Sequence, residues 1–380
     1  MDYFKKSIEE HKKTKGKIEL LSKMSVKNKD DLSIAYTPGV AAPCLEIQKD
    51  VNLAFDLTSS KNTVAVISDG TAVLGLGDIG PIASLPVMEG KAILFKEFAN
   101  VDAFPIVLDT KDTEEIIKTI KTIAPTFGGI NLEDISAPRC FEIEERLKNE
   151  LDIPIFHDDQ HGTAIVLLAG LINGLKIVGK KKEEITIVVN GSGAAGIAIT
   201  NLLNFYGVGN IIVCDSKGII SNNRDNLNSF KIKLLKTTNK KNLSGTVYDA
   251  IQGADVFVGV SKGDLLKAED ISTMNKDSMI FAMANPTPEI MPEEAIKGGA
   301  KIIATGRSDF PNQLNNVLVF PGIFKGALKA KCQITEEMKI AAAKVLAGVV
   351  KNPHEEYIIP SPFQKGVADL IAEEIVKLSK

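Results

Sequence analysis

The sequence predicts an α/β protein of two domains, an N-terminal α/β domain and a C-terminal doubly wound domain that ends in helices. Three observations predict it. At 380 residues the chain is long for a single core. Apolar strand-like runs alternate with helical ones, the pattern of parallel sheets with crossover helices. The run ITIVVNGSGAAG also joins a strand to a helix through closely spaced glycines.

The elements follow in order. MDYFKKSIEEHKK is charged and helical in pattern, and YTPGVAAPC carries the Pro and Gly of a loop. NTVAVIS reads as a strand, PVMEGKAILFKEFA as a helix and FPIVLD as a strand. The helix DTEEIIKTIKTIA, the strand FGGINLED, the helix PRCFEIEERLKNEL and the strand IPIFHDD complete the first domain. INLED and IPIFHDD are then successive parallel strands that both end in acids. Glu133 and Asp134 are expected on the same sheet edge as Asp158 and Asp159. A long apolar helix, HGTAIVLLAGLINGLKIVG, leads through GKKKEE into the glycine-containing run, and the domain boundary is placed at residue 160. GADVFVGV, SMIFAMANP and KIIATG read as later strands, and TEEMKIAAAKVLAGVV and KGVADLIAEEIVKLSK as closing helices. The basic stretch KIKLLKTTNKKN reads as a solvated helix face and turn.

Composition narrows the class. Apolar residues at 44% and charged residues at 24% are the balance of a soluble globular protein. A net charge of -3 gives no general attraction to nucleic acid or anionic membranes. Cys44, Cys140, Cys214 and Cys332 are far apart and form no CxxC pair, which argues against a disulfide framework and suits a reducing cytoplasm. The N-terminus has no apolar core of a signal peptide, and the run AIVLLAGLINGL, about a dozen residues, is shorter than a bilayer span requires.

Gly191-x-Gly193-x-x-Gly196 follows a strand and opens a helix, the context in which this spacing is a Rossmann-type dinucleotide fingerprint. Gly191 allows the tight turn, Gly193 lets a pyrophosphate approach the backbone, and Gly196 lets helix pack on strand. Ser192, Ala194 and Ala195 complete the loop and the helix start, where free N–H groups and the positive dipole end receive phosphates. Asp215, at the end of the next strand, suits a hydrogen bond to a ribose 2′-OH and favours NAD. Ser216 and Lys217 leave NADP open.

Lys91 shares a helix face with Val87, Met88, Leu94, Phe95 and Phe98, whereas Lys96 lies well round the helix. A desolvated lysine loses preference for its charged form, so Lys91 is a candidate general base; the equal alternative is a snorkelling lysine that keeps its ammonium in water. FHDDQHGTA places His157 and His161 four apart in imitation of a zinc signature. Here Asp158 and Asp159 are expected at the turn after a strand, before the helix, and not within the helix a zinc hydrolase needs.

Together YTPGVAAPC, SDGTAVLGLGDIGPIASLPVMEGKAILFKEFANVDAFPIVLD, INLEDISAPRCFEIEE, IPIFHDDQHGTAIV, GSGAAG, AMANPTPEI and NQLNNVLVFPGIFKGAL resemble the malic enzyme family in its short bacterial form. The resemblance implies oxidative decarboxylation of malate with NAD or NADP and Mg2+ or Mn2+, and a homodimer to which the N-terminal helix could contribute. It makes Tyr36 the general acid and Lys91 the base. Glu133, Asp134 and Asp159 become the metal ligands, with Asp158 adjacent. Asn285 and Asn316 become holders of the substrate carboxylate, with Asn315 as the neighbouring alternative. Larger members carry a carboxylate-gripping arginine where this chain has Ala72. The competing readings are a zinc hydrolase built on His157 and His161, a non-catalytic nucleotide sensor, and a metal-free dehydrogenase of the amino-acid type with a lysine base.

Overall fold

The alternation resolves into two sheets. The computed structural model describes residues 2–73, 75–225 and 227–380. Its strands are β1 (Thr63–Ser68), β2 (Asp102–Val107), β3 (Gly129–Leu132), β4 (Ile155–His157), β5 (Thr186–Asn190), β6 (Asn210–Asp215), β7 (Gly218–Ile219), β8 (Val256–Gly259), β9 (Met279–Ala282) and β10 (Ile302–Thr305). The first sheet is wholly parallel in the order β2-β1-β3-β4. The second runs β10-β9-β8-β5-β6-β7 and is parallel apart from the short β7.

Register decides what this arrangement presents. Leu132 pairs with His157, so the chain leaves β3 and β4 side by side, and the acids that follow both strands share one edge as expected. The second sheet is buried on both faces, which is why its strands read as nearly continuous apolar runs. Ile187, Val189, Val256, Val258 and Phe281 point into the main core. Val188, Phe257, Ile280 and Ala282 point into a second core on the opposite face.

Three elements differ from the sequence reading. The Lys91 helix runs from Pro81 to Ala99 and starts five residues before Pro86. Pro81 at its first turn is preorganised for a helix start, and Pro86 removes only one backbone donor from a 19-residue helix. The loop YTPGVAAPC turns helical at Ala41, which opens the helix Ala41–Lys49.

The third is the long apolar helix, which begins at Asp158 and not at His161 and ends at Val178. Asp158 and Asp159 therefore occupy its first turn, where negative side chains meet the positive end of the helix dipole. With 21 residues it is long and apolar enough to cross a bilayer by composition alone. It is instead a central helix of this fold, packed between the helices Ala194–Tyr206 and Glu336–Val349. Its apolar residues from Ala164 to Leu171 are buried.

The N-terminal arm is different in kind. The helices Tyr3–Thr14, Lys29–Ala35 and Ala41–Lys49 bury no residue at all. Phe4, Leu20, Leu21, Leu45 and Val51 lie exposed along it.

Candidate active site

The carboxyl edges of β3 and β4 carry the acids. Ligand oxygens of Glu133, Asp134 and Asp159 all lie within 4.8 Å of one another. Local contacts hold them in place. Asn131 Nδ2 donates to Glu133 (2.8 Å), and the Asp134 N–H donates to Asp159 Oδ2 (2.8 Å). Asp134 adopts a left-handed backbone (φ 54°) that lets the chain turn sharply after the strand.

Lys91 reaches into this group from the helix Pro81–Ala99. Its Nζ lies 2.9 Å from Glu133 Oε1 and 2.6 Å from Asp158 Oδ2, and 4.5 Å from the centre of the Phe320 ring. Asn316 Nδ2 donates to the same Asp158 oxygen (2.5 Å). The group is dry: Lys91 is 7% exposed and Asp158 fully buried. The apolar-face placement read from the sequence is therefore what the fold shows. Its electrostatic consequence is the reverse of the expectation. Burial does oppose the ammonium, but Asp158, Glu133 and Asp159 outweigh it and hold Lys91 firmly protonated.

The same crowding acts on the acids. Burial, with Asp159 and Glu133 beside it, pushes Asp134 up to about 9. Burial raises Asp158 to about 6 against the opposing pull of Lys91. Four carboxylates around one ammonium leave negative charge without a partner, and Asp134 Oδ2 and Asp158 Oδ1 are buried with no hydrogen bond. This all-oxygen donor set fits a hard dication, which is the chemistry of Mg2+ or Mn2+.

The histidines do not form a zinc site. His157 is fully buried, with Nδ1 3.7 Å from Asp159 and both ring nitrogens unbonded. His161 turns the other way, its Nε2 to Glu144 (2.8 Å) and its Nδ1 to Lys339 (3.0 Å). The four-residue spacing is genuine, but the two rings serve different neighbourhoods.

The remaining candidates fall in separate places. Asn315 accepts from Val317 N–H (3.0 Å) to cap its own short turn, so of the pair Asn316 is the one joined to the acid cluster. Asn285 follows β9 at the carboxyl edge of the second sheet. Tyr36 is 68% exposed on the N-terminal arm, and no side-chain contact brings it into the buried group.

The glycine loop lines a cavity of about 720 Å³ together with Asn190, Asp215, Lys217, Ser261 and Lys262. Gly191 has a φ of 125°, and a Cβ on Gly196 would stand 1.8 Å from the Gly191 carbonyl oxygen, so both positions need glycine. No atom stands within 4 Å of a Cβ built on Gly193, which leaves its backbone open to a phosphate. Ser192 lies in the cavity wall, and Ala194 and Ala195 form the first turn of the helix behind it. Asp215 sits at the end of β6 as expected, but its carboxylate is not free. Arg224 grips it bidentately (2.9 and 3.0 Å) and Lys231 binds the second oxygen (2.6 Å). Lys231 is thus one of the supposedly solvated lysines, drawn out of solvent into this contact.

Comparison with known proteins gives this geometry a family. Residues 15–148 match the malic enzyme N-terminal domain, and residues 160–378 match the malic enzyme NAD-binding domain. The chain belongs to the malic enzyme family. It is 57% identical over 371 residues to the bifunctional malic/malolactic enzyme of Bacillus subtilis, covering 97% of this chain and 90% of that one. It is 60% identical over 365 residues to the NAD-dependent malic enzyme of Geobacillus stearothermophilus, covering 95% of this chain and 76% of that one. The crystal structure of malic enzyme from Pyrococcus horikoshii superposes with a TM-score of 0.96 at 49% identity, covering 99% of this chain and 90% of that chain.

Sequence reasoning missed several parts of this candidate site. Phe320, under Lys91, comes from a distant helix and reads only as an apolar residue. Arg224 and Lys231 are ordinary surface cations in the sequence. Asn131 alone left a signal, as a polar residue at the centre of an otherwise apolar strand, INL.

Proposed function

We propose that this malic enzyme oxidises (S)-malate with NAD(P) and decarboxylates the product to pyruvate and CO2. One observation carries the assignment: a buried lysine at the centre of carboxylates, on the sheet edge where a dication and a substrate would meet. In this reading residues 1–160 supply the substrate and metal groups and residues 161–380 the cofactor site. Glu133, Asp134 and Asp159 hold the metal. Asn285 and Asn316 orient a substrate carboxylate, and the loop from Gly191 to Gly196 receives the pyrophosphate.

A bound dication would supply positive charge that stabilises oxyanions of the substrate, and a bound nicotinamide would supply the acceptor for the C2 hydride. With its carboxylate neighbours offset by that positive charge, Lys91 would first release its own proton to solvent and then, as the neutral amine, accept the proton of the C2 hydroxyl. Asp158 and Phe320 fix the Lys91 ammonium between them and keep water from it. Cleavage of the C3–C4 bond releases CO2 and leaves an enolate. Tyr36 then protonates C3, with Lys91 as the source that restores the Tyr36 proton.

Tyr36 stands on an arm whose helices contain no fully buried residue within its own protomer. A homodimer provides the surface on which the arm packs, and its exposed apolar residues support that assembly.

The test is reduced-cofactor formation from L-malate, NAD and Mn2+, with pyruvate assayed in the same tube and an EDTA control. Equimolar NADH and pyruvate, lost with EDTA, is the expected result. Turnover that survives EDTA points to the metal-free dehydrogenase, and no reduction with NAD or NADP sinks the reading.

A further inference from the structure

Malate carries two carboxylates, and the buried group that is to receive it is already crowded with negative charge. Resting on the reading above, a carboxylate directed away from the acids needs a cation on the far side of the cleft. The chain has four arginines with which to supply a planar, bidentate grip. Three are committed elsewhere. Arg139 is tied to Asp69, Thr71, Ser136 and the Lys111 carbonyl. Arg146 pairs with Glu114, Glu142 and Glu150. Arg224 clamps Asp215 at the cofactor cavity.

We propose that Arg307 grips the malate carboxylate on the Asn285 side of the cleft and so sets the preference for a dicarboxylate. Four placements carry this. Arg307 follows β10 at the same carboxyl edge as Asn285, and its Nη1 donates to the Pro286 carbonyl (3.1 Å). The backbone beside it lies on the Asn285 amide, since a Cβ built at Gly306 would stand 2.8 Å from Asn285 Nδ2. From the first domain, a Cβ at Gly75 would stand at contact distance, 3.7 Å, from Asn285 O and Pro286 Cδ, while Ala72 N–H donates to Asp134 O (2.9 Å). Ala72 therefore stands beside the acids and Gly75 beside the turn that Arg307 holds. Finally, the loop after Arg307 leads directly to Asn316, which is bonded to Asp158.

Arg307 also retains capacity. Of its five N–H donors, two go to Asp309 (2.8 and 2.6 Å) and one to Pro286, leaving two for a ligand. The Asp309 pair is exposed on both sides, 36% and 54%, and such a pair yields readily to a better-placed anion.

The experiment compares wild type, Arg307→Gln and Arg307→Lys, each with Mn2+ and NAD. KM and kcat for malate are measured, with inhibition by L-lactate, the same 2-hydroxy acid lacking the second carboxylate. Arg307→Gln should raise KM for malate on the order of tenfold or more, the loss of a charge-assisted grip, with kcat, KM for NAD and L-lactate inhibition nearly unchanged. Arg307→Lys should fall between, because it restores charge without the fork. An unchanged KM for malate in Arg307→Gln overturns the inference. So does equal weakening of malate and L-lactate, which a collapsed Pro286 turn would produce. A wild-type enzyme inert toward malate overturns the assigned reaction as well, which separates the two failures.

Discussion

Asp159 and His161 stand two residues apart, yet their side chains belong to different networks. Removing each should therefore have a different result. Asp159→Ala is expected to abolish Mn2+ binding, because it deletes one of three clustered ligands, while His161→Ala should retain it. Titration of free Mn2+ in solution reads this directly, and the opposite pattern would restore the zinc-type reading. Asp215 gives a second test at this scale. Burial would raise its carboxyl, but Arg224 and Lys231 outweigh burial and depress it to about 2 from the ordinary 3.8. A depressed value means that the ionised carboxylate stabilises the fold above pH 3.8 and that this contribution is lost as pH falls through about 2. The stability gap between wild type and Asp215→Asn, measured by denaturant unfolding, should be flat near neutral pH and close in that acid window. A gap that stays constant into acid would show the clamp to be without energetic consequence.

At the scale of elements, the helix Asp158–Val178 performs two tasks. Its apolar body forms part of the core, and its first turn presents Asp158 and Asp159 to the site. Gly162 lies where both tasks meet. A Cβ there would stand 2.0 Å from Asp158 Oδ1 and 3.0 Å from Asn316 Cβ. Helix propensity alone favours alanine over glycine by about 1 kcal/mol. Gly162→Ala should nevertheless drive Asp158 off Lys91 and Asn316, with a loss in kcat on the order of 10²-fold for a displaced catalytic group. Steady-state kinetics beside a thermal melt would separate the two effects. Full activity in the alanine variant would mean that Asp158 need not stay where it is.

For the whole molecule, the arm is the feature that one protomer leaves unexplained. Leu20 and Leu21 are 87% and 81% exposed. Wild type should sediment as a dimer at micromolar concentration, and the double substitution Leu20→Asp, Leu21→Asp should shift it to monomer with loss of activity. A wild-type monomer with full activity would remove the dimer from the account, and Tyr36 as acid with it.

The sequence by itself determined what depends on local order along the chain. Strand-helix alternation implied parallel sheets. The glycine spacing after an apolar strand implied the dinucleotide turn. Two adjacent strands ending in acids implied a shared acidic edge, and the offsets of Met88 and Phe95 placed Lys91 on the buried face, although Val87 of the same predicted stripe is exposed. Each is a matter of backbone geometry or periodicity, which a few neighbouring residues fix. What only the tertiary structure decided involves groups far apart in sequence. Local sequence predicts that burial weakens the charged form of Lys91, but Glu133 and Asp158, more than forty and sixty residues away, keep it charged. Asp215 was read as a free ribose acceptor, but the fold brings Arg224 and Lys231 onto it. The choice of Asn316 over Asn315 depended on which amide faced Asp158. Charge interactions act through space with a strength set by burial and distance, and neither is written in the local sequence.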